Sequence, residues 1–79
     1  MRVRVRYFAS IREILGKGEA EVEVLEGSTV GELVERFKER HGGLGGRRLL
    51  VAVNGEYADP KTVLGEGDEV ALFPHVSGG

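Results

Sequence analysis

Cysteine is absent from the 79 residues, which excludes a disulfide framework, a thiolate metal site and a cysteine nucleophile. No run approaches the roughly 18 apolar residues of a membrane span. The N-terminus, Met-Arg-Val-Arg-Val-Arg, carries no apolar signal core, so the cytoplasm is the expected compartment. A basic excess is also missing: the net charge is -2, which gives no support for nucleic-acid binding. Histidine is scarce, and His41 has no second histidine or carboxylate at ligand spacing, so no metal site is expected. The glycine-rich stretches Gly16-Lys17-Gly18 and Gly42 to Gly46 lack the Gly-Lys-Ser/Thr ending that would hold a triphosphate. The acidic turn Gly65-Glu66-Gly67-Asp68 does not match a calcium loop, which needs alternating ligands and a distal glutamate. Repeats, linkers and low-complexity tracts are missing too.

What is present is an ordinary soluble composition, 41% hydrophobic and 30% charged. The length makes one domain, residues 1–79. A domain of this size hides only about 60% of the surface that its unfolded chain exposes. A deep catalytic cleft is not expected, because its walls would consume most of the core.

Residues 2 to 8 alternate, with Arg2, Arg4 and Arg6 on one side and Val3, Val5 and Tyr7 on the other, as in a half-buried strand. Three arginines so placed suit a phosphate-binding face. Glu19, Glu21 and Glu23 alternate in the same way one strand later, however, and antiparallel pairing makes the two rows cross-strand ion pairs. The ion-pair reading is preferred. Between the strands, Ser10 and Glu13 have capping-box spacing and Gly16 is a stop, which predicts at most a short helical turn.

Thr29 and Glu32 form a second capping box, and Val30, Leu33, Val34 and Phe37 make one apolar stripe, which predicts the one substantial helix. Glu32 and Arg36 are spaced for an ion pair on its wet side. His41 in the last turn favours the helix dipole. Gly42 to Arg48 reads as a loop. Leu49 to Val53 is a continuous apolar strand, Asn54-Gly55 a hairpin turn, and Glu56-Tyr57-Ala58 a short return. In the crossing after Asp59-Pro60, Val63 and Leu64 are expected to enter the core. A last strand runs from Glu69 to Phe73. The predicted architecture is α+β, a mixed sheet with one main helix on one face.

The end of the chain is its most unusual part. Pro74 is expected to stop the last strand, leaving residues 74–79 as a flexible tail: Pro74, His75, Val76, Ser77, Gly78 and Gly79. Five residues follow Pro74, so at roughly 3.3–3.6 Å each the terminal carboxylate reaches about 17 Å beyond the fold. Two terminal glycines have no packing use, and ordering them costs more backbone entropy than ordering any other residue. What they offer is thinness, since a backbone without Cβ atoms enters a slot too narrow for other residues. Taken alone, Ser77-Gly78-Gly79 reads rather as an ordinary small-residue chain end or a cloning remnant; it gains meaning from following directly on the last strand. From Glu56 onward, five acidic side chains (Glu56, Asp59, Glu66, Asp68, Glu69) face only Lys61. A partner docking near the tail would then be basic, or the charges are simply solvated.

These residues together resemble a known family. "VAVNGEYADPKTVLGEGDEVALFPHVSGG" is similar to the C-terminal half of MoaD, the small subunit of molybdopterin synthase, and "RYFASIREILG" and "EGSTVGELVERF" resemble its earlier parts. The resemblance to the MoaD/ThiS family covers essentially the whole chain. It implies a β-grasp, ubiquitin-like fold with the last strand beside the first in mid-sheet. It also implies that the chain carries sulfur and has no activity of its own. By the same resemblance, an ATP-dependent MoeB-like enzyme is expected to adenylate Gly79 and a sulfurtransferase to leave a thiocarboxylate there. Val76, Ser77 and Gly78 are then expected to enter a tunnel in a MoaE-like large subunit, with Phe73, Pro74 and His75 as candidate contacts. The chain itself is expected to bind no cofactor. Alternatives within the resemblance are a carrier for thiamine synthesis or tRNA thiolation and a ubiquitin-like protein modifier; an inert binding module using the open sheet face lies outside it. One departure is His75, where related sequences usually place a second proline. The loss of that stiffness must be offset by contacts, since freezing each residue costs roughly 1–2 kcal/mol.

Overall fold

Strand β1 (Arg2–Tyr7) buries Val3, Val5 and Tyr7 and exposes its three arginines. In the computed structural model, which describes residues 1–44 and 48–75, β1 pairs antiparallel with β2 (Glu19–Glu23). The register sets Arg2 opposite Glu23, Arg4 opposite Glu21 and Arg6 opposite Glu19. The expected charge ladder is therefore formed, with contacts of 3.8 to 3.9 Å for Arg2–Glu21, Arg2–Glu23, Arg4–Glu21 and Arg6–Glu19. Exposed pairs of this kind contribute under about 1 kcal/mol each. Their larger effect is on register, because a slip of one residue would set charges into the core.

The connection between these strands holds more than a turn. Helix α1 (Ala9–Leu15) buries Ile11 completely. Its start corrects the expected Ser10–Glu13 capping box: the N-cap position is Phe8, and no side chain caps it. The sheet decides this. Phe8 N–H still donates to Leu72 C=O at 3.2 Å, so the chain can leave the sheet only after Phe8, and Ala9 makes the sharp turn at φ 50°. Ser10 is thereby already inside the first turn. Gly16 ends the helix as expected, at φ 74° with its N–H on Arg12 C=O.

Helix α2 (Val30–Arg40) begins at the Thr29–Glu32 capping box, whose reciprocal bonds measure 3.1 and 3.2 Å. Val30, Leu33 and Phe37 are buried and Val34 packs beside them. The Glu32–Arg36 pair does not form. Glu32 Oε1 accepts from both the N–H and the hydroxyl of Thr29, which holds it at the helix start. After His41 comes a single 3-10 turn, Gly42–Leu44, instead of a featureless loop, and it drives Leu44 to full burial.

Strands β3 (Leu49–Val53), β4 (Glu56–Tyr57) and β5 (Glu69–Pro74) complete a five-stranded sheet in the order β2-β1-β5-β3-β4. The last strand lies parallel to the first at its centre. Asn54 and Gly55 both have positive φ (50° and 86°), as the primed hairpin turn requires. The Asn54 side chain also ties this turn to the next: Nδ2 donates to Asp68 at 2.9 Å and Oδ1 accepts from Glu69 N–H at 3.0 Å. Leu64 enters the core as expected, but Val63 is 62% exposed. Leu64 N–H donates to Ser28 C=O and Val63 bridges to Thr29, and this local strand alternation turns Val63 outward. Strand β5 runs to Pro74, one residue past its expected end. Both helices lie on one face of the sheet, and the opposite face is open.

Candidate functional site

Alternation along β5 and β3 decides what the open face presents. Val70, Leu72 and Val51 are buried toward the helices, so Ala71, Phe73, Leu50 and Ala52 project from the other side. The register places Leu50 opposite Phe73, Ala52 opposite Ala71 and Tyr57 opposite Ala52. Phe8, the residue at which β1 gives way to α1, stacks on Phe73 with ring centroids 4.7 Å apart and planes 12° apart. The result is an apolar patch bounded by Phe8, Leu50 and Tyr57, with Tyr57 78% exposed. The arginine–glutamate ladder of β1 and β2 fills the other half of the same face. An exposed apolar patch rimmed by charge is the usual form of a protein docking surface.

The chain leaves the sheet beside this patch. Pro74 pairs with Leu49, and His75 N–H donates to Arg48 C=O at 3.0 Å. A proline at position 75 has no such donor. The histidine thus supplies one more rung of the ladder, while its side chain stays exposed. Of the expected contact residues, the structure places Phe73 in the patch, Pro74 in β5 and His75 at the exit. Val76, Ser77, Gly78 and Gly79 lie outside the described residues.

The acidic side chains from Glu56 onward are mostly occupied, and Glu66, Asp68 and Glu69 stand at the start of β5, the end of the strand opposite the exit. Glu66 accepts from Arg2 N–H at 2.8 Å, Asp68 from Gly65 N–H and Asn54, Asp59 from Lys61 N–H, and Glu69 from Arg6 at 3.0 Å. Only the Glu56 carboxylate has no such partner among the described residues. Glu66, Asp68 and Glu69 thus hold turns and the charge ladder away from the tail, so they do not frame the exit for a basic partner. Burial pushes the Tyr7 phenol up from its ordinary value, with its ring edge-on to Phe37 at 5.7 Å. Among the described residues no three metal-ligating side chains converge, and no helix is long and apolar enough to cross a membrane.

The sequence alone does not single out Phe8, Leu50 and Tyr57, which the fold brings into the patch. Phe8 falls on the exposed parity of β1, after Arg2, Arg4 and Arg6, and that was the available signal. Leu50 was concealed in the continuous run Leu49 to Val53, whose two faces separate only once the neighbours of the strand are known.

The central parallel pair of β1 and β5, the β1–β2 pair with α1 in its connection and the helix α2 across one face define a ubiquitin-like β-grasp protein. The ThiS family model matches residues 5–79, and the chain belongs to this family, the MoaD/ThiS proteins. The molybdopterin synthase sulfur carrier subunit of Mycobacterium tuberculosis is 42% identical over 82 residues, covering 100% of this chain and 99% of that protein. Small archaeal modifier protein 3 of Haloferax volcanii is 30% identical over 92 residues, covering all of both. Among solved structures, a putative molybdopterin converting factor subunit 1 from Pyrococcus furiosus superposes with a TM-score of 0.89 at 35% identity, covering 96% of this chain and 99% of that one. A chain in the complex of subunits 1 and 2 of the molybdopterin-converting factor from Helicobacter pylori matches with a TM-score of 0.69 at 28% identity, covering 100% of both.

Proposed function

We propose that this chain is the sulfur-carrier subunit of a molybdopterin synthase, with its reactive group at the Gly79 carboxylate. A carboxylate is a poor acyl donor, because its charge repels nucleophiles and oxide is a bad leaving group. A MoeB-like enzyme and ATP convert it to an acyl-adenylate, releasing pyrophosphate. Sulfide delivered by a sulfurtransferase attacks the acyl carbon and displaces AMP, and loss of its proton leaves a thiocarboxylate. The MoaE-like large subunit receives the tail and the sulfur passes to a pterin precursor. This chain supplies the donor and the handle; catalysis belongs to its partners, and the setting is the cytoplasm.

The observation that carries this reading is the adjacency of the Phe8–Phe73 patch to the fixed exit at His75. Four residues follow His75, so with the sheet docked on a partner the carboxylate reaches about 14 Å into it. The full-length likeness to sulfur-carrier relatives, and to a subunit found in a two-subunit complex, supports the same assignment. The modifier relative supports a second reading, in which Gly79 forms isopeptide bonds with lysines. Intact mass after incubation with ATP, a sulfide donor and the activating enzyme separates the two. Replacement of one oxygen by sulfur is the expected result; ladders on lysine-bearing proteins, with no sulfur gained, would assign the modifier role.

A further inference from the structure

Strand β2 is an outer strand, with β1 on one side and no strand on the other among the described residues. Its register fixes which backbone groups are already used. Met1 and Val24 exchange both hydrogen bonds, at 2.9 and 2.8 Å, and Tyr7 N–H donates to Gly18 C=O at 2.9 Å. Antiparallel partners alternate between bonded and non-bonded pairs. With Val3 opposite Val22 and Val5 opposite Ala20, the even-numbered residues turn their N–H and C=O groups toward β1. Glu19, Glu21 and Glu23 turn theirs outward, forming a row of donors and acceptors with no strand to meet them.

A groove of about 350 Å³ runs between this edge and α2, floored by Tyr7, Ala20, Val22, Leu33 and Phe37. Lys17, Arg36, Arg40 and His41 line its rim. None of the four takes part in an ion pair among the described residues, and Lys17, Arg36 and Arg40 are exposed. Glu21 and Glu23 also border the groove, but Arg2 and Arg4 hold their carboxylates on the opposite, open face of the sheet. The groove therefore combines an apolar floor, an uncompensated positive rim and an open strand edge.

We propose that this edge binds an extended acidic segment of a partner protein, added antiparallel to β2 as a further strand. Side chains of the added strand alternate. Those facing α2 meet the apolar floor and the basic rim, which selects valine or isoleucine followed by aspartate or glutamate. Those on the other side stand beside Glu19, Glu21 and Glu23, which selects threonine or lysine. Charge complementarity also decides against a second copy of this chain. Pairing β2 with β2 would set glutamates directly against glutamates, an unfavourable cross-strand arrangement. The groove lies at the opposite side of the sheet from Tyr57, so a segment held here leaves the Phe8–Phe73 patch free for another partner.

The test is a titration of the full chain with the capped peptide Thr-Val-Thr-Ile-Thr-Asp-Thr-Asp, read by amide chemical shifts and hydrogen exchange. At saturation, exchange of the Glu19, Glu21 and Glu23 amides should slow by about tenfold or more, with shifts at Phe37 and His41. Glu21→Pro removes an outward-facing donor, at a position where an edge strand tolerates proline, together with the exposed ion pairs to Arg2 and Arg4 on the other face, and should weaken binding about tenfold. Arg40→Glu on the exposed face of α2 should weaken it about fivefold, and it remains informative if the proline variant folds poorly. The proposal is overturned if the three amides exchange as before, if the peptide with lysine in place of aspartate binds equally well, or if shifts gather instead at Phe8, Phe73 and Tyr57. Dimerisation of the chain through the same amides would assign the edge to a second copy and overturn it as well.

Discussion

Replacing Tyr57 with alanine separates docking from folding more cleanly than any other single change. Tyr57 is 78% exposed, so truncating it should move the chain's own stability by less than about 0.5 kcal/mol, as surface substitutions do. Its value lies in the area that a partner can still cover. An aromatic side chain buries about 150–250 Å², so roughly 160 Å² remains available here, an upper bound of about 4 kcal/mol at ~25 cal/mol/Å². Immobilising the ring on binding costs about 0.5–1.5 kcal/mol. A loss of at most roughly 2.5–3.5 kcal/mol is left, which weakens affinity by up to about 60- to 300-fold. Calorimetric titration against a MoaE-like large subunit measures the affinity, and thermal melting of the free chain measures the stability. Unchanged affinity would remove the β3–β4 side of the sheet from the docking surface. A fall in melting temperature beyond a few degrees would mean that Tyr57 supports the fold, and the assignment of the patch would fail.

Other substitutions test the remaining structural claims. Leu44→Ala opens a cavity under the 3-10 turn at a fully buried position, so denaturant unfolding should show a loss of about 2–5 kcal/mol with partner affinity intact in the folded fraction. His75→Pro removes the donor to Arg48, worth about 1 kcal/mol, but stiffens the unfolded chain by about 0.4–1 kcal/mol. Stability should therefore change by less than about 1 kcal/mol, and a drop beyond 2 would show that the final rung carries more weight than one exposed bond. Gly78→Val should leave the melting temperature unchanged yet block transfer to the large subunit; a large fall in melting temperature would make the terminal glycines structural.

Much of this fold was legible because local signals agreed with one another. The Arg2–Tyr7 and Glu19–Glu23 alternations imply both the pairing and the charge ladder, and the Thr29–Glu32 box marks the start of α2. The strand Leu49–Val53 and its Asn54–Gly55 turn stand where the sequence predicts them. The misreadings share a cause: in each, a contact distant in sequence overrides a local pattern. Ser10 and Glu13 have capping spacing, but the bond from Phe8 to Leu72 sets the helix start two residues earlier. Glycines around Leu44 signal a loop, and only the space beside α1 and α2 explains why that leucine is buried. Val63 looks like core until its bridge to Thr29 fixes the parity.

The candidate site divides in the same way. The exit at Phe73-Pro74-His75 follows from the order of residues, whereas the patch built from Phe8, Leu50 and Tyr57 requires three separate elements to be placed side by side. The structural part played by His75 was legible least of all. Its side chain draws attention, but its backbone N–H makes the contact with Arg48.

The most direct measurement is sulfur transfer by a variant carrying one extra residue after Gly79, assayed with the activating enzyme, a sulfide donor and the large subunit. The extension lies beyond every described contact, so folding and docking should persist while thiocarboxylate formation and transfer disappear. Transfer at the rate of the unextended chain would contradict the claim that chemistry occurs at this terminal carbonyl carbon.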